Sequence, residues 1–413
     1  MRILFISGHF PDDIRTNVHG VYKRMGMFID AIKDIASLDM LFYTRPETQY
    51  SSVHVSEIKR TLSEHWNTDI GLSLSPMAEY RNRTKSEKLI NFGKGIFSIF
   101  NQQAYYELSG AEQVSALEEC LNAKPDAIFA HRLRSMCPLL LTRKPLPPIF
   151  FDFDDIEHIV LLRHIKQLKR LRAKLLYLLI PALSSGERNA VRLAAETYVC
   201  SENDRAYVAK NFRKSSVVTI PNTVPIPALQ TYVDEKTLLF LGSDYGPNLD
   251  AAKYLVKKIW PYVYREVPDA KLIIAGMPAD KLDIDISKTP SVEITGFVDD
   301  LDGLYRRSRI IATPILAGGG TRIKIIEAAA YGKPVVSTSI GMEGIDLSPG
   351  REILICDNPK KFADECIRLL RNPDICKEIG SAAREKAILL YDRNTVLKLV
   401  RDRIASKMKI SAP

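Results

Sequence analysis

Pro314-Ile-Leu-Ala-Gly-Gly-Gly-Thr-Arg-Ile-Lys-Ile-Ile-Glu327 decides how this chain is read. Ile310, Ile311 and Ala312 form the apolar end of a predicted strand, three glycines follow, and a helix is expected to open behind them. Thr321 is the expected N-cap, because its hydroxyl can accept from an amide two or three residues on. Glycines, lacking Cβ, let several amides converge on one point, and a helix N-terminus adds partial positive charge there. Such a loop is an anion cradle of the kind that binds phosphates. Arg322 and Lys324 add two positive charges and Glu327 a carboxylate. That set suits a nucleotide sugar, with the diphosphate on amides and cations and the ribose hydroxyls on Glu327. Gly318, Gly319 and Gly320 alone would read as a flexible connection; the Thr-Arg-x-Lys-x-x-Glu behind them favours a phosphate site.

Outward from this stretch, short apolar runs alternate with helical patterns along the whole chain, the signature of parallel α/β layers. Strands are predicted at 2–7, 37–43, 126–130, 149–153, 196–200 and 217–220. Helices are predicted near 20–35, 111–121 and 202–212, with a long one over much of 161–193. The polar region 48–106 shows no period and is assigned no element. Three prolines in Pro221-Asn-Thr-Val-Pro-Ile-Pro227 mark a linker. A second series follows, with strands at 237–241, 271–275, 292–295, 310–313, 334–337 and 352–355. Helices are predicted near 248–267, 299–308, 321–331, 360–371, 374–390 and 394–408. The expected architecture is two doubly wound, Rossmann-like α/β domains, residues 1–222 and 223–393, facing across a cleft. Helix 394–413 is expected to pack back on the first domain.

At 413 residues with 46% hydrophobic content, the chain exceeds what one core usually holds. Its net charge of +9 fits a polyanionic ligand, an anionic membrane or nucleic acid without choosing among them. The six cysteines form no Cys-x-x-Cys pair and have no histidine at zinc spacing, so reduced thiols and a cytoplasmic compartment are expected. Met1 leads directly into a strand, which leaves no room for a signal peptide, and no apolar run approaches the ~20 residues of a membrane span.

The residues now resemble a family. Gly318-Gly-Gly-Thr-Arg-x-Lys-x-x-Glu-Ala-x-Ala-x-Gly-Lys-Pro-Val-Val-Ser337, followed by Gly341-x-Glu-Gly344, is similar to the donor-site signature of the retaining glycosyltransferases of family 4, enzymes of the GT-B fold. Pro125-Asp-Ala-Ile-Phe-Ala-His131 resembles the strand that ends at that family's active-site histidine. Val199-Cys-Ser-Glu202 and Ile220-Pro-Asn222 resemble the end of its first domain. Leu239-Phe-Leu-Gly242, Pro247-Asn248 and Lys271-Leu-Ile-Ile-Ala-Gly276 resemble the opening of its second. The chain departs from the family twice. Gly319 stands where the common pattern has the first of two glutamates, the second aligning with Glu327. The Arg and Lys that many members carry after the second domain's first strand are absent, because Gly242 leads into Ser243-Asp-Tyr-Gly-Pro-Asn.

The resemblance implies a nucleotide-sugar glycosyltransferase acting on a glycan or lipid-linked acceptor in surface polysaccharide or glycolipid synthesis. Gly242, the Gly318–Gly320 amides, Thr321, Arg322, Lys324, Glu327 and Glu343 would bind the donor. Arg322 and Lys324 would stabilise the leaving diphosphate, the largest expected catalytic effect. No Asp-x-Asp pair lies near the cradle, so two cations would do a metal's work, and neither a metal nor another cofactor is expected. Asp152, Asp154 and Asp155 read as capping and loop residues rather than ligands. Retention is usually assigned in this family to a front-face route in which the leaving phosphate helps deprotonate the acceptor. His131 would then position the sugar or acceptor hydroxyl, against the alternative that it merely bonds backbone at a strand end. His19 and Gly20 are acceptor-side candidates.

Arg163, Lys166, Lys169, Arg170, Arg172 and Lys174 carry no acid among them and alternate with leucines, so a basic amphipathic helix could lie on an anionic bilayer. A core helix with a solvated basic face explains the same pattern. Peripheral attachment to the inner face of the membrane therefore accompanies the cytoplasmic expectation. Two other readings keep the architecture: a nucleotide-sugar epimerase, and a catalytically silent nucleotide-binding subunit, which Gly319 favours. A nicotinamide oxidoreductase is disfavoured because no Gly-x-Gly-x-x-Gly follows the first strand. Nucleic-acid binding would rest on net charge alone and is not expected.

Overall fold

The computed structural model describes residues 1–11, 20–45, 50–77, 84–100, 110–167, 171–213, 216–228, 235–282, 289–318 and 320–408. The chain divides into two compact units, Met1–Ile220 with Leu397–Pro413, and Pro221–Val396.

The first unit opens with β1 (Arg2–Ser7), α1 (Gly20–Lys33), β2 (Ser37–Thr44), α2 (Ser52–Trp66) and β3 (Ile70–Pro76). It continues with α3 (Lys85–Phe97), α4 (Ala111–Leu121), β4 (Ala127–His131), α5 (Leu133–Leu141) and β5 (Ile149–Asp152). Then come α6 (Glu157–Gln167), α7 (Ile180–Leu193), β6 (Glu196–Val199), α8 (Glu202–Phe212) and β7 (Val217–Thr219). Among the described residues the strands form one parallel sheet of seven in the order β3-β2-β1-β4-β5-β6-β7. Its central strands are apolar on both faces, as helix-covered parallel strands must be: Ile3, Phe5, Ile128, Phe129 and Phe150 are all closed to solvent.

The second unit contains β8 (Thr237–Leu241), α9 (Gly246–Tyr254), α10 (Trp260–Glu266), β9 (Lys271–Ala275), β10 (Val292–Gly296) and α11 (Leu301–Arg307). After them lie β11 (Ile310–Thr313), α12 (Ile323–Ala330), β12 (Val335–Ser337), α13 (Ser339–Met342), β13 (Leu354–Ile355), α14 (Pro359–Arg371) and α15 (Pro373–Tyr391). Here the described strands form a parallel sheet of six in the order β10-β9-β8-β11-β12-β13. The last helix, α16 (Arg393–Met408), begins in the second unit and ends in the first, where Arg403 pairs with Glu196 and Arg401 with Asp34.

Three sequence expectations need correction. The region 48–106 contains α2, β3 and α3 rather than no element. β3 is an edge strand of small and polar residues, Ile-Gly-Leu-Ser-Leu-Ser-Pro, so it lacks the apolar run that marks a central strand. The long helix over 161–193 is broken: α6 stops at Gln167, Leu171–Leu179 is a 3-10 segment, and α7 restarts with Pro181 in its first turn. Proline is accepted there, where its missing N–H costs nothing, and not in a helix interior. For the same reason 248–267 splits at Pro261, with a π-turn at Leu255–Ile259 between α9 and α10.

Both sheets reverse their strand order at one place, between β1 and β4 in the first unit and between β8 and β11 in the second. Loops leaving neighbouring strands there diverge to opposite faces, which opens a crevice at the strands' carboxyl ends.

Candidate active site

The glycine loop leaves the carboxyl end of β11 at the second unit's switch point. Gly318 and Gly320 have φ of 107° and 75°, a region that L side chains rarely enter, so glycine is required at both. Gly319 lies outside the described residues. Thr321 is not the N-cap: α12 begins at Ile323 with Arg322 as its cap residue, which makes no side-chain capping bond. The Arg322 guanidinium instead folds back on the loop, with Nη2 donating to Gly318 O at 3.2 Å and Nη1 to Gly320 O. The amides of Ile323 and Lys324 therefore open α12 without intrahelical acceptors.

Lys324 does not point into the loop. Its half-buried Nζ crosses to the end of β8, donating to Leu241 O and to Asn248 Oδ1 at 3.0 Å, with the Phe240 ring centroid 5.0 Å away. Burial, reinforced by the charge of Arg322 and opposed by Glu327, pulls its pKa down to about 7. The cation missing from the sequence after β8 is thus delivered to that strand end from α12. Asn248 was overlooked as a partner, although its position behind Pro247 at the start of α9 marks it.

Glu327 accepts from Tyr305 Oη at 3.0 Å. Tyr305 is buried on α11 and stacked on Tyr331 with ring centroids 4.6 Å apart. Nothing in local sequence marks Tyr305, because α11 is a separate element that only the fold brings beside α12.

The neighbouring strand supplies a second loop, since β11 and β12 run side by side with Thr313 opposite Ser337. Thr338 caps α13 by accepting from Gly341 N at 3.0 Å and donates to Ile315 O, tying the two loops together. A Cβ on Gly341 would collide with Ser337 Oγ and lie 2.9 Å from Thr313 O. Glu343 follows at the end of α13. Gly242 has a packing role: its amide donates to Ala275 O at 2.9 Å, and a Cβ there would sit 2.9 Å from Met277 Cε.

In the first unit, His131 ends β4 directly opposite Ser7 of β1 and Asp152 of β5. Its Nδ1 is 3.0 Å from Ser7 Oγ, and its Nε2 is 3.6 Å from Asp152 Oδ2. The ring is fully enclosed rather than exposed at a strand end, and among the described residues Nε2 has no hydrogen-bond partner. Burial, then the neighbouring His9, hold His131 neutral, far below its ordinary pKa. The His9 ring stands edge-on at 5.9 Å, and burial with Arg132 and Arg134 lowers its pKa to about 3. Gly20 opens α1 and is exposed; His19 lies outside the described residues.

The three aspartates are neither caps nor loop decoration. Asp152 accepts from Arg24 Nε at 2.9 Å and Nη2 at 2.6 Å, while Arg24 Nη1 donates to Ile220 O at 2.9 Å. Asp154 lies 3.4 Å from Arg24 and 3.5 Å from Arg132, and Arg132 also pairs with Asp155. Burial raises Asp154, but Arg132 and Arg24 outweigh it and bring its pKa to about 2. Arg132 takes φ of 67° between β4 and α5, and its amide donates to Asp152 O at 2.9 Å. Arg24 could have been found: it shares the buried stripe of α1 with Phe28 and Ala31, where an arginine requires an internal counter-ion.

Of the basic segment, Lys166 and Lys174 are exposed and Arg163 is half-buried. Lys169 and Arg170 lie outside the described residues, and only the backbone of Arg172 is described. The six cysteines are free thiols, and no described helix is long and apolar enough to cross a membrane.

Residues 235–372 match a family model described as Glycosyl transferases group 1. The chain is 29% identical over 201 residues to an uncharacterized 44.6 kDa protein in the cps region of Klebsiella pneumoniae, covering 46% of this chain and 52% of that protein. It is 27% identical over 196 residues to phosphatidyl-myo-inositol mannosyltransferase of Mycobacterium leprae, covering 44% and 51%. The chain thus spans about half the length of the curated relatives it matches. Among solved structures, Anabaena HepE in complex with UDP is similar with a TM-score of 0.66 at 14% identity, over 98% of this chain and 100% of that one. S. aureus TarM in complex with Fondaparinux, alpha-GlcNAc-glycerol and UDP gives 0.65 at 13%, over 98% and 99%. At these identities the likeness is one of fold: two parallel α/β sheets of the GT-B type.

Proposed function

We propose that this chain, a member of glycosyl transferases group 1 with the GT-B fold, is a retaining glycosyltransferase. It moves a sugar from a nucleoside-diphosphate donor to a glycan or lipid-linked acceptor. The observation that carries this reading is the meeting of one glycine loop and one lysine at the β8/β11 switch point. Gly318 and Gly320 in left-handed conformations, the open amides of α12, Arg322, and Lys324 reaching Leu241 surround a single strand-end position.

Cleaving the sugar–phosphate bond puts negative charge on the diphosphate, and preorganised donors lower that barrier most. Arg322 and the amides of the Gly318–Thr321 loop and α12 meet this charge. Lys324 adds its own once a phosphate replaces Leu241 O and Asn248 as partner. Gly242 lets the β8 loop run flat beside the donor, and Glu327, aimed by Tyr305, takes the ribose hydroxyls. Glu343 stands in at the sugar for the family glutamate that Gly319 replaces. The leaving phosphate accepts the acceptor's proton, so no protein nucleophile is required. The neutral His131 offers Nε2 to a sugar or acceptor hydroxyl, a contact that needs the side chains around His9 to move aside. His19 and Gly20 lie on the acceptor side, and two cations replace a metal.

The cps-region relative supports a place in surface polysaccharide synthesis, and the mannosyltransferase relative supports a lipid-linked acceptor. In that setting the segment from Arg163 to Lys174 holds a cytoplasmic enzyme against the inner membrane face. A UDP-sugar is the first donor to test, because HepE and TarM were crystallised with UDP.

A silent nucleotide-binding subunit is the second reading, favoured by Gly319 and by the protein partners already on Lys324. Thermal shift against a panel of nucleotide sugars, followed by donor hydrolysis with and without EDTA, separates the two. Stabilisation with EDTA-insensitive hydrolysis supports the enzyme. Stabilisation without turnover supports the subunit, and no stabilisation by any donor refutes both.

A further inference from the structure

We infer that the first unit carries an interfacial docking surface for an anionic lipid bilayer, built from α3, the 3-10 turn behind it, and the 3-10 segment Leu171–Leu179. Of nineteen large apolar residues exposed among the described residues, eight fall in 89–100 and 175–178. Scattered surface leucines need no explanation; a cluster this dense does. Leu89, Phe97 and Phe100 are 71%, 69% and 84% exposed, and Leu175 and Leu178 at least half. The elements are neighbours: α3 packs on the Leu171–Leu179 segment and on α7, and the turn Ser98–Phe100 also packs on α7.

Charge identifies what covers this surface. On α3, Ile90, Lys94 and Phe97 recur at i, i+4 and i+7, so one helix face carries both apolar bulk and an ammonium. Lys88 and Lys94 on α3, with Lys166 and Lys174 beside the second segment, are all exposed. The one acid of α3, Glu87, is turned onto its own N-terminus, accepting from Thr84 N at 2.7 Å and Thr84 Oγ1 at 2.9 Å. Aromatic and aliphatic side chains ringed by lysines match the boundary between acyl chains and anionic headgroups. A protein interface core would instead be depleted of lysine.

This deepens the membrane contact proposed for the segment from Arg163 to Lys174, by making α3 and Phe100 the inserted part. It does not depend on sugar transfer. The full chain is floated with vesicles of phosphatidylcholine alone and of phosphatidylcholine with phosphatidylglycerol. Three surface variants follow, each checked for an unchanged melting temperature: F97S/F100S, K88E/K94E and K166E/K174E. Flotation is expected only with the anionic vesicles. F97S/F100S and K88E/K94E should each weaken it on the order of tenfold. Donor hydrolysis in F97S/F100S should match wild type, which separates this inference from the catalytic reading. Three results overturn it: no flotation with either vesicle, loss only in K166E/K174E, or a concentration-dependent dimer in sedimentation that F97S/F100S abolishes.

Discussion

Arg24 on α1 and Asp152 at the end of β5 form a forked ion pair wholly closed to solvent, with Nη2 2.6 Å from Oδ1. The other carboxylate oxygen lies 3.6 Å from His131 Nε2, so the pair forms the wall behind the histidine. A buried charge left without its partner is far more costly than the pair is stabilising. Asp152→Ala should therefore destabilise the chain by about 3–5 kcal/mol, while Arg24→Met with Asp152→Leu recovers most of the loss. Urea unfolding of both variants checks this. Equal losses in the single and double variants would mean that the two charges are not coupled.

Lys324 makes donor binding pH-dependent. With its pKa at about 7 in the folded chain and 10.5 as the ordinary value, the unfolded chain binds the extra proton between those limits. Stability should accordingly rise with pH across that window. A diphosphate beside Nζ acts the other way: it raises the lysine's pKa, so binding above pH 7 takes up a proton and affinity falls as pH rises. Calorimetry with UDP above pH 7, in buffers of different ionisation enthalpy, should show buffer-dependent heats that Lys324→Met abolishes. Buffer-independent heats in the wild type would remove the lysine from the phosphate site.

Gly341→Ala tests the coupling of the two loops. The added Cβ meets backbone at Thr313 and the Ser337 hydroxyl, neither of which is the yielding tip of a long side chain. Overpacking of this kind costs about 1–3 kcal/mol. Because Thr338 also donates to Ile315 O, the displacement should reach the glycine loop and weaken UDP binding along with stability. A variant of lower melting temperature with unchanged UDP affinity would show that the loops respond independently.

Strands that are apolar throughout, such as Ile3–Ile6 and Leu238–Leu241, were readable because burial on both faces leaves a continuous run. β3 was not: an edge strand needs no such run, and its Gly71 lies where a Cβ would collide with Asp39. The glycine loop was readable because positive φ restricts residue choice, whereas Thr321 misled because a capping propensity is local and Arg322 captured the loop carbonyls instead. Lys324 was recognised as a cation but not as the one placed at β8, since 83 residues separate it from Leu241. Tyr305 and Arg24 escaped because their partners, Glu327 and Asp152, are also distant in sequence.

Arg322 gives the sharpest test of the donor site. Its guanidinium both shapes the loop, through the carbonyls of Gly318 and Gly320, and brings charge to the open amides of α12. Arg322→Ala should lower kcat for donor hydrolysis or transfer by about 10²–10³, the scale of one oxyanion donor or roughly 2–4 kcal/mol. Arg322→Lys keeps the charge but lacks the planar fork that reaches two carbonyls at once, so it should recover only part of the loss. Steady-state kinetics on a matched donor separates the two contributions. Full recovery in the lysine variant assigns the role to charge alone, and wild-type kcat in the alanine variant takes Arg322 out of catalysis.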